Sequence, residues 1–577
     1  MRARQRDWLT AVTASTVLVM CGDLAAHGQT EDYFATPWVV APSLPQAGAG
    51  TTNTATSTTP KPTSQGSRSN LYSQSLASSA PSAPPVLYTF NVGIDEIATD
   101  NVAETQSNHV SDVTSLFSAG TTITADTERF SGVLSATGFY QREINDTALD
   151  QFSEFGYASG QATIVPGNLY MSVNGAIDNL STLGGGIQSP LVQSNQNTHT
   201  YTIGGSPYFV TRVGDFGMNV LRYQIGQAWF SNYAPPPLFP IASSGGLAAS
   251  TDQSVREDFR TAGTIMPRLM SDLSLSGMEN DAGNSASGDL QVANGELINE
   301  YEVTRSASLI GGAGYESLRD PEVPVVDGQG AIWDFGARLR PNPDSYALII
   351  YGRHDRKSDF AGEIAWRLTP YTDFYASYTD ALNTVQQSII VNNAGSVLGP
   401  AGAVTGVNFD QSTVIGVLDD QALNSTPGYD SSLVPIGIPL GTSNNYSPLQ
   451  NGLFRTKILS GSARSIFDGD PIALTAYDAQ QISLTPFFVS SSSSEGGDLS
   501  WSPMFSPSLT GLALVGYAHE TGVEVGDVYN AAVGATYLIS ESLGLDLRYD
   551  FIRRQGQSGS GSYIQNAITV GLHKSFN

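Results

Sequence analysis

The chain offers few residues in arrangements that could do chemistry. After residue 28 its histidines are His109, His199, His354, His519 and His573. No two of them have the spacing of a zinc site, and the chain contains neither a Gly-x-Ser-x-Gly elbow nor a Walker loop. The only cysteine is Cys21, so the rest of the chain has no thiol chemistry. The sequence therefore predicts no catalytic residue, no metal site and no cofactor.

Two segments resemble ligand-binding motifs, but a structural interpretation is favoured for both. Gly311–Gly314 lies in a strand-like segment, where small residues relieve crowding inside a lumen. Asp468–Asp470 forms a turn that could bind calcium, and a solvated turn is the simpler interpretation. A membrane-embedded hydrolase that uses a lone serine and histidine stays open as the least favoured alternative.

The composition is typical of a structure whose strands have one polar, solvent-exposed face and one apolar face. Charged residues make up 14% of the chain, against about 25% in ordinary soluble domains. Hydrophobic residues make up 40%, and 59 of the 577 residues are glycine. The net charge of -26 argues against nucleic acid as a partner, because binding to its backbone needs clustered Lys and Arg.

The first 85 residues are predicted to lie outside the folded domain. Three arginines precede the uncharged stretch Trp8–Met20, and small residues at Ala26 and Gly28 suit signal peptidase, so we expect cleavage after residue 28. Lipidation of Cys21 is disfavoured, because the Met before it is large. Residues 29–85 are rich in Ser, Thr, Pro and Ala and predict a disordered linker.

From about Leu87 the pattern acquires a period of two. In Leu543–Phe551 and Gly362–Thr369, apolar residues alternate with charged or small ones, as expected of strands with one apolar face. The charged residues that we predict to face a lumen are Glu363, Arg367, Asp546, Arg548 and Asp550.

The lengths and connections of these segments favour a barrel over a soluble sandwich. The segments run to about ten residues, which suits tilted membrane strands, and aromatic residues fall near their ends. Short turns such as 165–168, 341–344, 369–372 and 506–508 alternate with longer polar loops. Residues 86–577 are therefore predicted to be all-β, forming a large closed antiparallel transmembrane barrel of roughly 18 to 22 strands. The longest loop, about 391–450, is a candidate constriction or surface cap.

The last strand is similar to the assembly signal of outer-membrane proteins. It carries Leu572, Lys574 and Phe576 on one face, although Asn577 follows the aromatic residue, which in the usual pattern is last. Residues 500–577 resemble the outer-membrane β-barrel porin family found near exopolysaccharide and exosortase-type loci. The resemblance implies a barrel in the outer membrane of a Gram-negative bacterium, recognised by the barrel-assembly machinery, in a surface-polysaccharide context.

These observations leave three hypotheses about function. The first, which we favour, is a non-enzymatic pore for hydrophilic solutes or polysaccharide, surrounded by outer-membrane lipid. The excess of carboxylates predicts that such a pore prefers cations. The second is a plugged structural or adhesive protein, and the third is the hydrolase.

Overall fold

The regular structure of the described residues consists of β-strands that close into one barrel. In the computed structural model each strand pairs in antiparallel fashion with its sequence neighbours, and the first strand, β1, also pairs with the last, β23. Both β18 and β19 pair with β20, so they form one interrupted strand and the wall has 22 strands. The predicted all-β closed antiparallel barrel is confirmed, at the upper end of the predicted strand number.

The strands have the following bounds: β1 Val86–Thr99, β2 Asp112–Asp126, β3 Phe130–Glu143, β4 Gln151–Val165, β5 Leu169–Ser181, β6 Asn197–Val213, β7 Gly217–Ser231, β8 Ser250–Ala262, β9 Leu269–Ala282, β10 Leu290–Thr304, β11 Ala307–Arg319, β12 Gly328–Asn342, β13 Ser345–His354, β14 Lys357–Thr369, β15 Thr372–Thr384, β16 Leu453–Phe467, β17 Asp470–Ser483, β18 Ser492–Trp501, β19 Met504–Ser506, β20 Leu509–Thr521, β21 Gly526–Ser540, β22 Leu543–Gly556 and β23 Tyr563–Phe576.

The structure describes residues 86–576 apart from 103–105, 108, 128, 146–149, 182–196, 215, 232–248, 263–265, 283–289, 321–326, 343–344, 355, 370, 385–452, 468–469, 485–490, 523–524, 541 and 557–561. The predicted signal peptide (1–28), linker (29–85) and long loop (391–450) lie outside the described residues. Within the described part of the chain, no helix is long and apolar enough to cross a membrane.

Alternate side chains point to opposite faces of the wall, as the period of two predicts. On β22, Leu545 and Leu547 are exposed on the outer face, whereas Asp546 and Arg548 are buried on the inner face. The outer face is therefore apolar where the inner face carries charge.

Most strands are longer than the ten residues that the alternation indicated. Many have 13 to 15 residues, and β6 has 17. The end of β22 gives the reason, because the outer positions after Phe551 are the polar residues Arg553 and Gln555. Where a strand continues beyond the apolar band, its outer face no longer needs apolar residues, so the sequence pattern stops before the strand does.

The two ends of the barrel differ. At one end, called here the turn end, β1 begins, β23 finishes, and connections such as 166–168, 343–344 and 370–371 have two or three residues. The other end, called the loop end, carries the longer connections 182–196, 232–249 and 385–452. Two loop-end connections are short, at 355–356 and 522–525, so the predicted asymmetry is not complete.

The wall opens between β14 and β15 near the loop end. The two strands pair only as far as Gly362 and Tyr378, whereas β15 continues to pair with β16 as far as Thr384 and Leu453. Among the described strands, the last six residues of β15 therefore pair with β16 and not with β14, which allows the end of the β15–β16 hairpin to leave the cylinder.

Candidate functional site

The inner wall is the candidate functional site, and it contains the five charged residues that the sequence singled out. On β22, Asp546, Arg548 and Asp550 are buried on the inner face. Arg548 Nε donates a hydrogen bond to Asp550 Oδ1 over 2.7 Å. The Thr536 hydroxyl on β21 donates a hydrogen bond to Asp546. Arg548 and Asp550 thus form an ion pair within one strand, and Asp546 is held by a neutral donor on the neighbouring strand.

The other two predicted residues lie on β14, and six strands of the wall lie between β14 and β22. Glu363 faces inward beside the hydroxyl groups of Tyr346 and Tyr375. Arg367 lies near the turn end, where its Nε is 3.0 Å from Asp373 Oδ1. The strand order separates these residues from the β22 group, so the five side chains do not form one cluster.

Ion pairs between strands are a feature that sequence reasoning missed. Arg338 Nη1 on β12 lies 2.7 Å from Glu300 Oε2 on β10, and both side chains are buried. Similar inner-wall pairs join Arg260 to Asp272 at 2.7 Å and Arg554 to Glu520 at 2.8 Å. The alternation places each residue on the inner face, but only the register of the strands shows which charges meet.

Other inner carboxylates are held by neutral donors. Glu143 accepts hydrogen bonds from the Thr114 hydroxyl, at 2.7 and 2.8 Å, and from Gln141 Nε2 at 2.8 Å. Asp252 lies beside Asn280, and Glu363 beside two tyrosines. Among the described residues, none of these three carboxylates forms an ion pair with an arginine.

The freed end of the β15–β16 hairpin turns into the lumen. Lower on the hairpin, the outer-face residue Leu459 is 50% exposed. The same alternation places Leu382 and Leu453 on the outer face, yet they are only 2% and 0% exposed. They belong to one buried apolar cluster with the inner-face residues Met278, Leu290, Val292 and Leu318 of β9, β10 and β11. The outer face of one part of the wall therefore packs on the inner face of another.

Polar contacts accompany this overlap. Thr384 Oγ1 at the end of β15 lies 3.5 Å from Asn280 Oδ1 on β9. On the same covered face, Arg455 Nε lies 2.6 Å from Asp380 Oδ1, and Lys457 Nζ lies 3.6 Å from Asp380 Oδ2. The contact narrows the lumen near the loop end with wall residues, and the loop 391–450, predicted as a constriction or surface cap, lies outside the described residues.

Three potential metal ligands converge on the inner face of β10, β12 and β13. Glu296, Asp334 and His354 each offer one ligand atom, and these atoms lie within 4.8 Å of one another. His354 Nε2 is 2.8 Å from Asp334 Oδ1. Glu296 and Asp334 are 38 residues apart in the sequence, and Asp334 and His354 are 20 residues apart. A search for closely spaced histidines could not find this group, because only the register of the strands brings it together.

Glycines make this convergence possible. Gly312 on β11 pairs with Asp334 and faces inward between β10 and β12. A Cβ atom at Gly312 would lie 2.7 Å from Glu296 Oε1 and 3.3 Å from Asp334 Oδ2. The glycine segment Gly311–Gly314 thus makes room for side chains of the lumen, which agrees with the structural interpretation of that motif.

The predicted assembly residues line the outer face of the closing seam. Leu572 pairs with Ile94 of β1, and Phe576 pairs with Phe90, with ring centroids 6.1 Å apart. Lys574 Nζ lies 2.5 Å from Ser542 Oγ and 5.7 Å from the centroid of the Phe576 ring. The Lys574 ammonium therefore reaches the polar turn end while its alkyl chain stays on the apolar face.

The candidate calcium turn is only partly described, since 468–469 lie outside the described residues. Asp470 Oδ1 accepts a hydrogen bond from Met504 N over 2.8 Å. This carboxylate oxygen stabilises the junction between two strands, in keeping with a structural turn.

Comparison with known proteins adds only a general likeness. No family model and no curated protein matches the chain. A mutant of the ferric enterobactin receptor PfeA from Pseudomonas aeruginosa is similar, with a TM-score of 0.43 and 10% identity over 85% of this chain and 80% of that one. The FrpB iron transporter from Neisseria meningitidis has a TM-score of 0.44 at 9% identity, covering 85% and 81%. The outer membrane protein opdK from Pseudomonas aeruginosa has a TM-score of 0.27 at 10% identity, covering 85% and 99%.

The class that the fold defines is therefore a closed 22-stranded antiparallel β-barrel. At these scores the similarities carry no argument about what the chain binds or transports.

Proposed function

We propose that the chain is a pore of the outer membrane of a Gram-negative bacterium that conducts hydrophilic solutes and prefers cations. The observation that carries the proposal is the division between an apolar outer face and a charged inner face around a closed wall. A residue such as Leu547 is 56% exposed, and full exposure of such a side chain to water costs roughly 1.5–3 kcal/mol. Lipid around the outer face removes this cost, and closure satisfies the backbone without a free edge.

The positions of aromatic side chains support the proposal that a membrane surrounds the barrel. Toward the loop end, the Tyr517 and Tyr549 hydroxyls donate hydrogen bonds to outward Asp527 and Asn566 over 2.8 and 2.7 Å. Toward the turn end, Phe576 lies on the outer face. Aromatic girdles with polar tips mark both interfaces of membrane barrels. The turn end would then face the periplasm and the loop end the exterior.

Two further elements of the proposal concern export and assembly. Residues 1–28 would direct export, and residues 29–85 would act as a linker before the barrel. The last strand would present Leu572, Lys574 and Phe576 to the barrel-assembly machinery. A polysaccharide is included as one class of solute because the sequence pattern of residues 500–577 resembles that of a porin family found near exopolysaccharide loci.

Cation preference follows from the inner carboxylates that lack an arginine partner. Because Glu143, Asp252 and Glu363 are held by neutral donors, the wall carries negative charge in excess of its ion pairs. Charges that line a confined aqueous path repel ions of the same sign.

The overlap of β15–β16 favours a second candidate, a structural barrel with a closed lumen. Buried Leu382 and Leu453 place wall residues inside the lumen near the loop end. A barrel closed in this way would anchor the surface loops without conducting ions.

Catalysis is not part of the proposal, although one serine lies near a histidine. Ser118 and His573 flank Gly93, and within the described part of the chain neither Ser118 Oγ nor His573 Nδ1 has a hydrogen-bond partner. The surrounding backbone belongs to the paired strands β1, β2 and β23. Donors that are paired in the sheet are not free to stabilise an oxyanion.

Single-channel recording distinguishes the two candidates. The full chain would be expressed in a Gram-negative outer membrane, purified and inserted into planar bilayers under a salt gradient. We expect discrete conductance steps with a reversal potential that indicates cation preference. A variant lacking residues 395–445 controls for a blocking loop, and Leu453→Asn loosens the overlap. Conductance near zero in all three proteins would overturn the pore and favour the structural barrel, and anion preference would overturn the selectivity.

A further inference from the structure

We propose that Glu296, Asp334 and His354 form a binding site for one divalent transition-metal ion in the inner wall of the barrel. The proposal depends on strand register and side-chain contacts alone, and it does not require the barrel to conduct.

The first step is the position of the three side chains. Glu296 lies on β10, Asp334 on β12 and His354 on β13, and all three face the lumen. Gly314 pairs with Glu296, and Gly312 and Gly352 pair with Asp334. Since glycines occupy these neighbouring inward positions, no other side chain of the described strands separates the three groups.

The second step is the repulsion between the two buried carboxylates. Glu296 and Asp334 are only 5% and 4% exposed, and Glu296 Oε1 and Asp334 Oδ2 are buried without a hydrogen-bond donor among the described residues. Two carboxylate oxygens that share a site repel each other unless a proton or a cation lies between them. His354 Nε2 forms a hydrogen bond with Asp334 Oδ1, whereas Asp334 Oδ2 lies with Glu296 Oε1 beside Gly312.

The third step is the type of ion. The ligand set has two carboxylate oxygens and one imidazole nitrogen, which suits zinc and its first-row neighbours better than the all-oxygen preference of magnesium or calcium. Zinc binds these groups at about 2.0–2.2 Å, so its ligands lie about 3–3.5 Å from one another. The ligand atoms lie within 4.8 Å here, so side-chain movements of about 1–2 Å would close the site.

The competing explanation is a single proton shared by the two carboxyl groups. In that case Glu296 would donate a hydrogen bond to Asp334, and the group would need no metal. The two explanations differ in one measurable respect, because only the first predicts a stoichiometric metal that depends on all three residues.

The test is zinc binding to the tag-free full chain, purified in detergent and stripped with EDTA. Isothermal titration with ZnCl₂ should show one site per chain, and Mg²⁺ in excess should not compete. Glu296→Gln and His354→Gln should each weaken zinc binding by at least about tenfold. The matched control is Glu363→Gln, which removes an inward carboxylate on β14 and should leave zinc affinity unchanged.

A gel shift between unheated and boiled samples would show that each variant keeps its folded barrel. Manganese electron paramagnetic resonance provides a second measurement on the same proteins, with bound Mn²⁺ expected in the native chain and not in Glu296→Gln. Absence of binding up to 1 mM zinc, or equal affinity in folded native and variant barrels, would overturn the proposal and leave the shared proton. Either result is independent of the conductance that tests the pore.

Discussion

His573 Nε2 lies 3.0 Å from Asp95 Oδ1, and this contact joins the last strand of the barrel to the first across 478 residues of sequence. Asp546 Oδ2 on β22 lies 3.4 Å from the same nitrogen, so the imidazole lies between two carboxylates on the inner face. Gly93 and Gly571 leave the space that the ring occupies, since a Cβ at either position would meet it within 3 Å. The seam that closes the barrel is thus held by side chains as well as by backbone pairing.

Replacing the seam histidine should destabilise the barrel. His573→Ala would leave Asp95, which is buried, without its imidazole partner, and an unpartnered buried group of this kind costs about 1–3 kcal/mol, or more when it is charged. The measurement is urea unfolding in lipid vesicles, followed by tryptophan fluorescence. The control is His519→Ala, whose partner Asp527 lies 2.9 Å away in a pair that is 31% and 33% exposed. A loss of stability no greater than that of His519→Ala would contradict a special role for the seam pair.

The buried pair of Arg338 and Glu300 should behave non-additively. Arg338→Met leaves Glu300 buried without its cation, and breaking such a pair typically costs about 3–5 kcal/mol. The double variant Arg338→Met/Glu300→Gln removes both charges and should recover a large part of the loss. A double-mutant cycle on the free energy of unfolding measures this coupling. Additive losses would show that the two groups do not stabilise each other in the folded wall.

The overlap of β15–β16 with β9–β11 can be detected by chemical labelling. Since the chain has no cysteine after Cys21, Thr384→Cys introduces the only thiol beyond residue 21, at a buried position. We expect slow reaction with a water-soluble maleimide, and reaction at least about tenfold faster when Leu453→Asn is added, because a buried polar group without a partner destabilises the apolar cluster. Ser491→Cys, at an exposed loop-end position, is the accessible control. Rapid labelling of Thr384→Cys in the native background would rule out the overlap.

Neighbouring glycines of β11 should differ in their tolerance of a methyl group. Gly312→Ala places a Cβ 2.7 Å from Glu296 Oε1, so the Glu296 carboxylate must move away from its present position and zinc binding should weaken. Gly311 points outward with nothing within 4 Å of a Cβ, so Gly311→Ala should be neutral or slightly stabilising. Unfolding in urea and zinc titration on both variants make the comparison. Equal behaviour of the two would contradict the assignment of Gly312 to the ligand cluster.

The alternation of residues determined much of this protein before any contact was known. In Leu543–Phe551 the period of two separates an apolar from a charged face. The pattern repeats along a chain that has no long apolar run, and a membrane protein built from such strands must close them into a barrel. The face of the sheet on which a side chain lies is a local property, because each side chain on a strand points opposite to its neighbours. For this reason the sequence placed Asp546, Arg548 and Asp550 on one face, and the structure has them on the inner wall.

Only the tertiary structure decided which side chains meet. Glu296, Asp334 and His354 come together through the register of four strands, and register depends on all the pairings and turns along the barrel. The sequence pattern also could not predict that the outer face at Leu382 is covered. That covering depends on where the β14–β15 pairing ends and on contacts with residues about 100 positions away in the sequence. A period of two specifies a direction for each side chain, whereas a contact also requires the position of the partner strand, which the pattern does not contain.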